Sequence, residues 1–174
     1  MHTCLPVRTS LPARCTAIAR LIRPQDVSAH AQQGLRHGHT CHRNNQVEGI
    51  ACYLLGLQLR YIADPKRRDY WCPPLATLER GGGDCDDFSI LAASLLRAAG
   101  IRAEVVLGWW RQRGGRGYHA WVAGMLSCGC RFALEPQTGE VWWNGTPPAY
   151  DAEFLIGPEA CQRVNRDLAV TNAI

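Results

Sequence analysis

The segment "GGGDCDDFS" at residues 81–89 places one cysteine where an enzyme could use it. A helix N-terminus and a nearby imidazolium each favour the thiolate, the nucleophilic form of cysteine. Three acids around Cys85 oppose that form. Asp84 can cap a helix that begins at Cys85, and Asp87 can reach back to the cap's amide. Because adjacent side chains on a helix do not face one another, we predict that these acids, with Asp86, serve the helix or a cation and leave the sulfur to a histidine.

A histidine and a carboxylate follow in the second half of the chain. The segment "YHAWVAGMLSCGCRFALEP" is typical of a β-hairpin with its turn at "SCG". A turn centred on Ser127 places His119 directly opposite Glu135, on the face away from the core, where the carboxylate can orient the imidazole. A slip of one residue would separate them. Together with Cys85, these residues are the components of nucleophilic thiol catalysis.

The flanking sequence predicts the elements that position these residues. Helical spacing of apolar residues runs through "QVEGIACYLLGLQLRYIAD" and should end before Asp64-Pro65. Prolines and glycines make "RRDYWCPPLATLERGGG" a predicted loop. The helix after Asp84 has an apolar stripe through Phe88, Leu91, Leu95 and Ala99 and should stop at Gly100. Strand-like runs follow in "AEVVLGWW", "YHAWVAGML", "CRFALEP" and "EVWW". Helices followed by an antiparallel sheet predict an α+β fold.

Composition limits the partners. The 174 residues suit one domain with a core, and 47% apolar against 20% charged residues is ordinary for a globular protein. The net charge of +4 is spread without a dense basic run, so we expect no nucleic-acid partner. No apolar stretch is long enough for a membrane span, so we expect no membrane partner. Residues 1–45 are the least patterned part and are predicted as an N-terminal extension, with a short helix at "DVSAHAQQGLR".

Cysteine usage and the N-terminus bear on the compartment. Nine scattered cysteines form no compact disulfide framework, and the odd number leaves at least one without an intramolecular partner. We expect mostly free thiols in a reducing compartment, with the cytoplasm favoured. The arginine-bearing N-terminus lacks the apolar core of a secretory signal. The segment "HGHTCH" at 37–42 lacks the paired knuckles of a structural zinc site, so no metal is assigned to it.

The motifs resemble the transglutaminase-like superfamily, and they are most similar to its bacterial cysteine peptidases. The matching segments are "DPKRRDYWCPPLATLERGGGDCDDFSILAASLLRAAGIRAEVVLG", "YHAWV" and "ALEPQTGE". Such a combination is far more specific than a lone short motif. The resemblance implies a papain-like core, with N-terminal helices, the nucleophile at a helix N-terminus and packing on an antiparallel sheet. The catalytic domain is then expected to span residues 46–174.

Site roles follow from the resemblance by motif position. It implies that Cys85 is the nucleophile, His119 the general base and acid, and Glu135 the orienting carboxylate. The family more often has aspartate at the last position, and glutamate is one methylene longer. The backbone amide of Cys85 is the expected oxyanion donor, since a helix N-terminus favours negative charge. A second donor is expected from the "DYWCPP" loop, without an assigned residue.

A calcium site is suggested only by the resemblance to this family. Some periplasmic relatives bind this ion through acids beside the nucleophile, and Asp84 and Asp86 occupy those positions here. Calcium takes six to eight oxygen ligands, so two side chains do not make a site. We therefore predict no required cofactor and keep calcium as an alternative at these two acids.

Three functions remain open from the sequence. The first is a thiol-dependent peptidase or amidase that acts on a protein or peptide through an acyl-enzyme thioester. The second is transglutaminase-type acyl transfer, because an amine can take the same thioester. The third is an interaction module that kept the fold and lost the activity. Trp109, Trp110, Trp142 and Trp143 could line a substrate groove, although tryptophan is more often packing.

Overall fold

The computed structural model describes residues 11–37, 46–66, 68–145, 147–158 and 160–164. In these ranges a helical layer covers one face of an antiparallel sheet, which confirms the α+β prediction. The helices are α1 Leu11–Leu21, a 3₁₀ turn Pro24–Val27, α2 Ser28–His37, α3 Gln46–Gly56, α4 Pro74–Arg80 and α5 Cys85–Ala98. The strands are β1 Arg60–Tyr61, β2 Gly82–Gly83, β3 Arg102–Gln112, β4 Gly115–Met125, β5 Arg131–Leu134, β6 Val141–Trp143, β7 Tyr150–Ile156 and β8 Cys161–Arg163.

Six strands form the main sheet in the order β6-β5-β4-β3-β7-β8. Every neighbouring pair is antiparallel, and β3 and β4 are the long central strands. The short strands β1 and β2 form a separate parallel pair that aligns Tyr61 with Gly83. This pair fixes the chain just before Cys85, so the local backbone of the candidate nucleophile is held by a second, small sheet.

Helix α5 lies at the centre of the core and packs on β3 and β4. Three of the four residues of its predicted stripe, Phe88, Leu91 and Leu95, are buried, whereas Ala99 is half-buried just after the helix ends. The face of β4 and β5 toward this helix carries Ala120, Val122, Phe132 and Leu134 in the main core cluster. The opposite face carries a smaller cluster of Val106, Trp121, Ala123 and Ala133. His119 is therefore on the second face, as the alternation of β4 requires.

The β4–β5 hairpin has a different register from the one that we predicted. The pairs Val122–Leu134 and Met125–Arg131 centre the turn on Cys128 rather than Ser127. His119 is thus not directly opposite Glu135, and that prediction is wrong. The register differs by two positions, an even number, so each side chain keeps its predicted face. The two residues still meet because Glu135 follows the last paired residue, Leu134, and reaches His119 diagonally.

Two predicted boundaries are also wrong. Helix α3 ends at Gly56, well before Asp64, and Gln58 beyond it takes a positive φ of 51°. Residues 74–80, predicted as loop, form α4. Proline is tolerated in a first helical turn because its missing N–H has no intrahelical partner there. Pro74 takes that place, and Gly81 ends the helix in the left-handed conformation, with a φ of 68°.

The described part of the N-terminal segment is structured. The short helix predicted at "DVSAHAQQGLR" is confirmed by the 3₁₀ turn and α2. Ile18, Leu21 and Ala31 are buried in the same core cluster as α5. The boundary at residue 45 stays a prediction, but these helices contribute to one core with the later elements. Sequence periodicity missed α1 as a core element.

Cysteine pairing is mixed in the part of the chain that the structure describes. A disulfide joins Cys15 in α1 to Cys161 in β8, while Cys52, Cys72, Cys85, Cys128 and Cys130 are free. Most of the "HGHTCH" segment, at 38–42, lies outside the described residues. No described helix has the length and apolarity needed to cross a membrane.

Candidate active site

Cys85 occupies the first turn of α5 and is partly exposed. The predicted capping box is present between Asp84 and Asp87, and the Asp84 amide donates to Asp87 Oδ2 at 3.4 Å. Because Asp84 is the N-cap, the helix begins at Cys85. The thiol therefore lies in the first turn, where the backbone amides have no partner within the helix. Local sequence thus produces the position that a thiolate prefers.

The glycine run before the cysteine has a steric cause. A Cβ on Gly82 would lie 2.0 Å from the carbonyl oxygen of Arg60, so β1 could not pair with it. A Cβ on Gly83 would lie 2.3 Å from Asp87 Oδ2. Both positions therefore require glycine if the chain is to pass between β1 and the capping carboxylate. The run sets the entry path into α5.

His119 lies on the face of β4 that carries Trp121 and Ala123, and it is near enough to Cys85 for the thiol to affect its charge. Its Nε2 lies 2.7 Å from Glu135 Oε2. Because Nε2 is engaged with Glu135, Nδ1 is the nitrogen left for the thiol. The structure brings together all three residues that the sequence singled out. The side chains of His119 and Glu135 are largely buried, so their interaction is shielded from water.

The electrostatics of this group favour a charged imidazole. Burial alone would lower the pKa of His119. Hydrogen bonds to Cys85 and Glu135, with the negative charges of both partners, outweigh burial and raise that pKa to about 9. A protonated His119 at neutral pH is what a thiolate–imidazolium pair requires.

Glu135 is held from three directions. Its Oε2 accepts hydrogen bonds from His119 and from the Tyr150 hydroxyl, the latter at 2.9 Å. Its Oε1 accepts the Gln137 backbone N–H at 3.2 Å. Glutamate has one more rotatable bond than aspartate, and these donors fix the position of its carboxylate. Sequence reasoning missed Tyr150, because β7 lies on the far side of β3 from β4 and no local motif marks it.

An aromatic wall surrounds His119. The ring centroid of Trp110 lies 5.5 Å from that of His119, and the Tyr150 ring lies 5.7 Å away in an edge-on arrangement. The ring centroid of Trp142 lies 6.0 Å from that of Tyr150. Of the four tryptophans considered as groove residues, Trp110 and Trp142 thus belong to this wall. Trp109 packs edge-on against Tyr118 instead, at 5.2 Å.

Three carboxylates lie beside the nucleophile. Oxygen atoms of Asp84, Asp86 and Asp87 all fall within 4.8 Å of one another. Burial, a hydrogen bond with Asp84 and the neighbouring negative charges raise the pKa of Asp86 well above its ordinary value. The Asp84 Oδ1 atom is buried without a hydrogen-bond partner. Hard oxygen donors with an unpartnered buried atom fit a calcium ion, with further ligands from backbone or water.

Two backbone amides of the "DYWCPP" loop donate to nearby carboxylates, one inside this cluster and one outside it. The Cys72 backbone N–H donates to Asp87 Oδ1 at 2.7 Å, and the Tyr70 N–H donates to Asp64. Neither amide is free for an oxyanion, so the second donor stays without an assigned residue. Burial, followed by the charge of Asp87, raises the pKa of Cys72 to about 12, which keeps this thiol neutral.

Comparison with known families fits this geometry. The sequence profile of the transglutaminase-like superfamily matches residues 29–144, which is most of the chain and includes all three candidate residues. The chain belongs to the transglutaminase-like superfamily. The match begins inside α2, so it extends before the predicted boundary at residue 45. A comparison with curated proteins gave no significant match.

Solved structures support the fold assignment. LapG of Legionella pneumophila is 16% identical, with a TM-score of 0.56, over 92% of this chain and 81% of LapG. Its calcium-bound form is 16% identical at the same TM-score, over 89% and 81% of the two chains. A Cytophaga hutchinsonii protein named provisionally as a cysteine protease is 14% identical, with a TM-score of 0.52, over 92% and 57%. The transglutaminase-like core expected from the sequence is thus confirmed as the fold.

Proposed function

We propose that this chain is a thiol-dependent hydrolase that cleaves an amide bond of a protein or peptide. The proposal depends on one observation above all: His119 is hydrogen-bonded to Glu135 and interacts electrostatically with Cys85, which begins α5. A nucleophile, a base and a group that orients the base are the parts of a cysteine hydrolase. The raised pKa of His119 supports the same assignment.

The reaction runs in two halves. Cys85 Sγ attacks the carbonyl carbon, and the resulting oxyanion lies near the first amides of α5, where the helix dipole stabilises negative charge. His119 gives its proton to the leaving amine, and a thioester remains on Cys85. His119 then removes a proton from water, which attacks the thioester and releases the acid. Glu135 keeps the imidazole oriented and stabilises its positive charge.

The deciding experiment compares wild type with Cys85→Ala on a defined peptide library, with cleavage products followed by mass spectrometry. Loss of all products in Cys85→Ala, with an unchanged circular dichroism spectrum, supports the hydrolase. Cys52→Ala is the matched control, because it removes an exposed free thiol from α3. Equal cleavage by Cys85→Ala and wild type would refute the scheme.

Acyl transfer to an amine is tested in parallel, because an amine can take the same thioester in place of water. A fluorescent primary amine and a glutamine-bearing peptide are incubated with each variant. Amine incorporation that depends on Cys85 would replace hydrolysis with transglutaminase chemistry. If neither reaction occurs and Cys85 resists iodoacetamide, the interaction-module alternative is favoured.

We also propose that Asp84, Asp86 and Asp87 bind calcium next to the nucleophile. The carboxylates converge, and Asp84 Oδ1 is a buried acceptor without a donor. LapG, whose fold is similar, has a calcium-bound structure. The ion would neutralise the charge that three acids place beside Cys85. These residues would thereby fix the start of α5, and the reaction steps themselves stay with Cys85, His119 and Glu135.

A further inference from the structure

The β4–β5 turn carries two thiols that the proposed reaction does not use. Cys128 and Cys130 are both free and exposed, and only Gly129 separates them. The turn is ordered by two backbone bonds, from the Leu126 amide to the Cys130 carbonyl and from the Gly129 amide to the Leu126 carbonyl, both 2.9 Å. A fixed turn thus presents both sulfurs to solvent.

The local backbone brings the sulfurs together. Gly129 takes a φ of 86°, a left-handed value that side chains rarely adopt, so the turn folds back sharply between the cysteines. The two thiols are near enough that Cys130 affects the pKa of Cys128. Neighbouring thiols on either side of one glycine need little movement to form a covalent bond.

The two thiols have different electronic surroundings. The hydrogen bonds from the Cys130 backbone N–H and thiol lower the pKa of Cys128. The hydrogen bond to Cys128, followed by its negative charge, raises the pKa of Cys130. A more acidic attacking thiol beside a less acidic second thiol is the arrangement found in dithiol redox sites.

The other free thiols in the described part of the chain lack this arrangement. Cys52 is exposed on α3, and no thiol partner is described for it. Cys72 is buried, and its backbone N–H donates a hydrogen bond to Asp87. Cys85 belongs to the group with His119. The pair in the β4–β5 turn is therefore distinct among these thiols, because its two cysteines are both exposed and are separated by a single residue.

We propose that Cys128 and Cys130 form a reversible dithiol–disulfide site that reacts with low-molecular-weight disulfides of the glutathione type. The site is separate from the candidate active site and does not depend on the proposed function. Since the ring closes within the turn, the β4–β5 ladder from Val122 to Leu134 keeps its pairing.

The exchange balances in two steps. The Cys128 thiolate attacks one sulfur of the small disulfide, forms a mixed disulfide and expels one small thiolate. Cys130 loses its proton to that thiolate or to water, attacks the Cys128 sulfur and expels the second small thiolate. The protein dithiol is oxidised by two electrons, and the small disulfide is reduced to two thiols.

The experiment uses the full chain in buffers with a graded ratio of reduced to oxidised glutathione. Samples are quenched in acid, the remaining thiols are alkylated, and peptides are mapped by mass spectrometry. We expect the peptide with Cys128 and Cys130 to pass from two alkyl groups to an internal disulfide as the ratio falls. Cys52 is the internal control and should form only a mixed disulfide.

Two single variants separate attack from resolution. Cys130→Ser should accumulate glutathione on Cys128, because the resolving thiol is absent. Cys128→Ser should leave Cys130 to react at least about threefold more slowly than Cys128 does in Cys130→Ser, because the backbone N–H of residue 130, which lowers the pKa of Cys128, is kept in Cys130→Ser. Absence of the internal disulfide at every ratio, or reaction of Cys128 no faster than Cys52, would overturn the proposal.

Discussion

The Tyr150 hydroxyl donates a 2.9 Å hydrogen bond to Glu135 Oε2, the same oxygen that accepts from His119 Nε2. The Glu135 carboxylate therefore lies between the imidazole of His119 on β4 and the phenol of Tyr150 on β7, and it is hydrogen-bonded to both. This arrangement offsets the extra freedom of glutamate at a position where the family more often has aspartate. Strand β7 thereby contributes to the candidate active site although it contains none of its motifs.

Tyr150→Phe tests that contact, because it removes only the hydroxyl. A hydrogen bond to a charged group contributes about 1.5–3 kcal/mol to stability. Without the hydroxyl, Glu135 holds His119 less firmly in its orientation. We expect iodoacetamide to alkylate Cys85 about three- to tenfold more slowly at pH 7. Rates are measured by peptide mapping, with thermal unfolding as a check on the fold.

Tyr118→Phe is the matched control for Tyr150→Phe. Tyr118 precedes His119 on β4, but the carboxylate that affects its hydroxyl is Glu153, whereas the Tyr150 hydroxyl donates to Glu135. Alkylation of Cys85 should therefore stay close to the wild-type rate in this variant. An equal slowing in both variants would mean that the effect comes from general loosening of the main sheet, not from the Tyr150–Glu135 hydrogen bond.

The pKa of His119, raised to about 9, predicts a specific titration. Following the His119 ring protons by NMR should give a midpoint near 9 in wild type. Glu135→Gln and Cys85→Ala should each lower the midpoint, because each removes a negative partner of the imidazolium. An unchanged midpoint in both variants would show that these partners do not set the charge of His119.

The same pKa has a consequence for stability. The folded pKa of about 9 lies above the ordinary value of 6.5, so protonated His119 stabilises the fold fully below pH 6.5. That contribution should decline as pH rises from 6.5 to 9. Urea unfolding of wild type against His119→Ala across this range measures it, and the difference between them should narrow at high pH.

Much of this site was predictable because its signals are local. The cap at Asp84, the apolar stripe of α5 and the alternation of β4 each depend on residues close in sequence. The hairpin register was predicted two positions away from the observed one, and only the even size of that error preserved the His119–Glu135 contact. Two positions is the smallest shift that leaves the faces intact.

The parts that sequence could not predict depend on distant contacts. Tyr150 meets Glu135 only after β7 pairs with β3, and Cys15 meets Cys161 only in the finished fold. Helix α4 is not evident from the sequence because the prolines at its start are typical of loops, although proline also suits a first helical turn. Helix α1 carries weak periodicity, and its buried face is defined by the strands beside it.

The acidic cluster predicts opposite effects of one variant with and without calcium. Burial raises the pKa of Asp86 well above its ordinary value, so its ionisation destabilises the fold as pH rises above about 4. Asp86→Asn removes that charge, and its amide oxygen can still accept the Asp87 N–H. In EDTA at pH 7 the variant should be more stable than wild type.

Added calcium should make wild type more stable than Asp86→Asn, the reverse of the order in EDTA. Binding only to the folded state stabilises it by mass action, so thermal unfolding of wild type should shift upward with added calcium chloride. Asp86→Asn should shift less, because it has lost a ligand charge. Glu79→Gln is the control, since it removes an exposed acid outside the cluster. A calcium shift of equal size in Asp86→Asn would exclude the proposed ligands.

The disulfide between Cys15 and Cys161 should stabilise the fold by joining α1 to the edge strand β8. It links residues 146 positions apart, and closing so long a loop restricts the unfolded chain strongly. The double variant Cys15→Ser with Cys161→Ser should lose about 2–5 kcal/mol of unfolding free energy, measured in urea without reductant. Reductant should destabilise wild type by a similar amount and leave the double variant unchanged. If reductant lowers the stability of both proteins equally, its effect does not come from this bond.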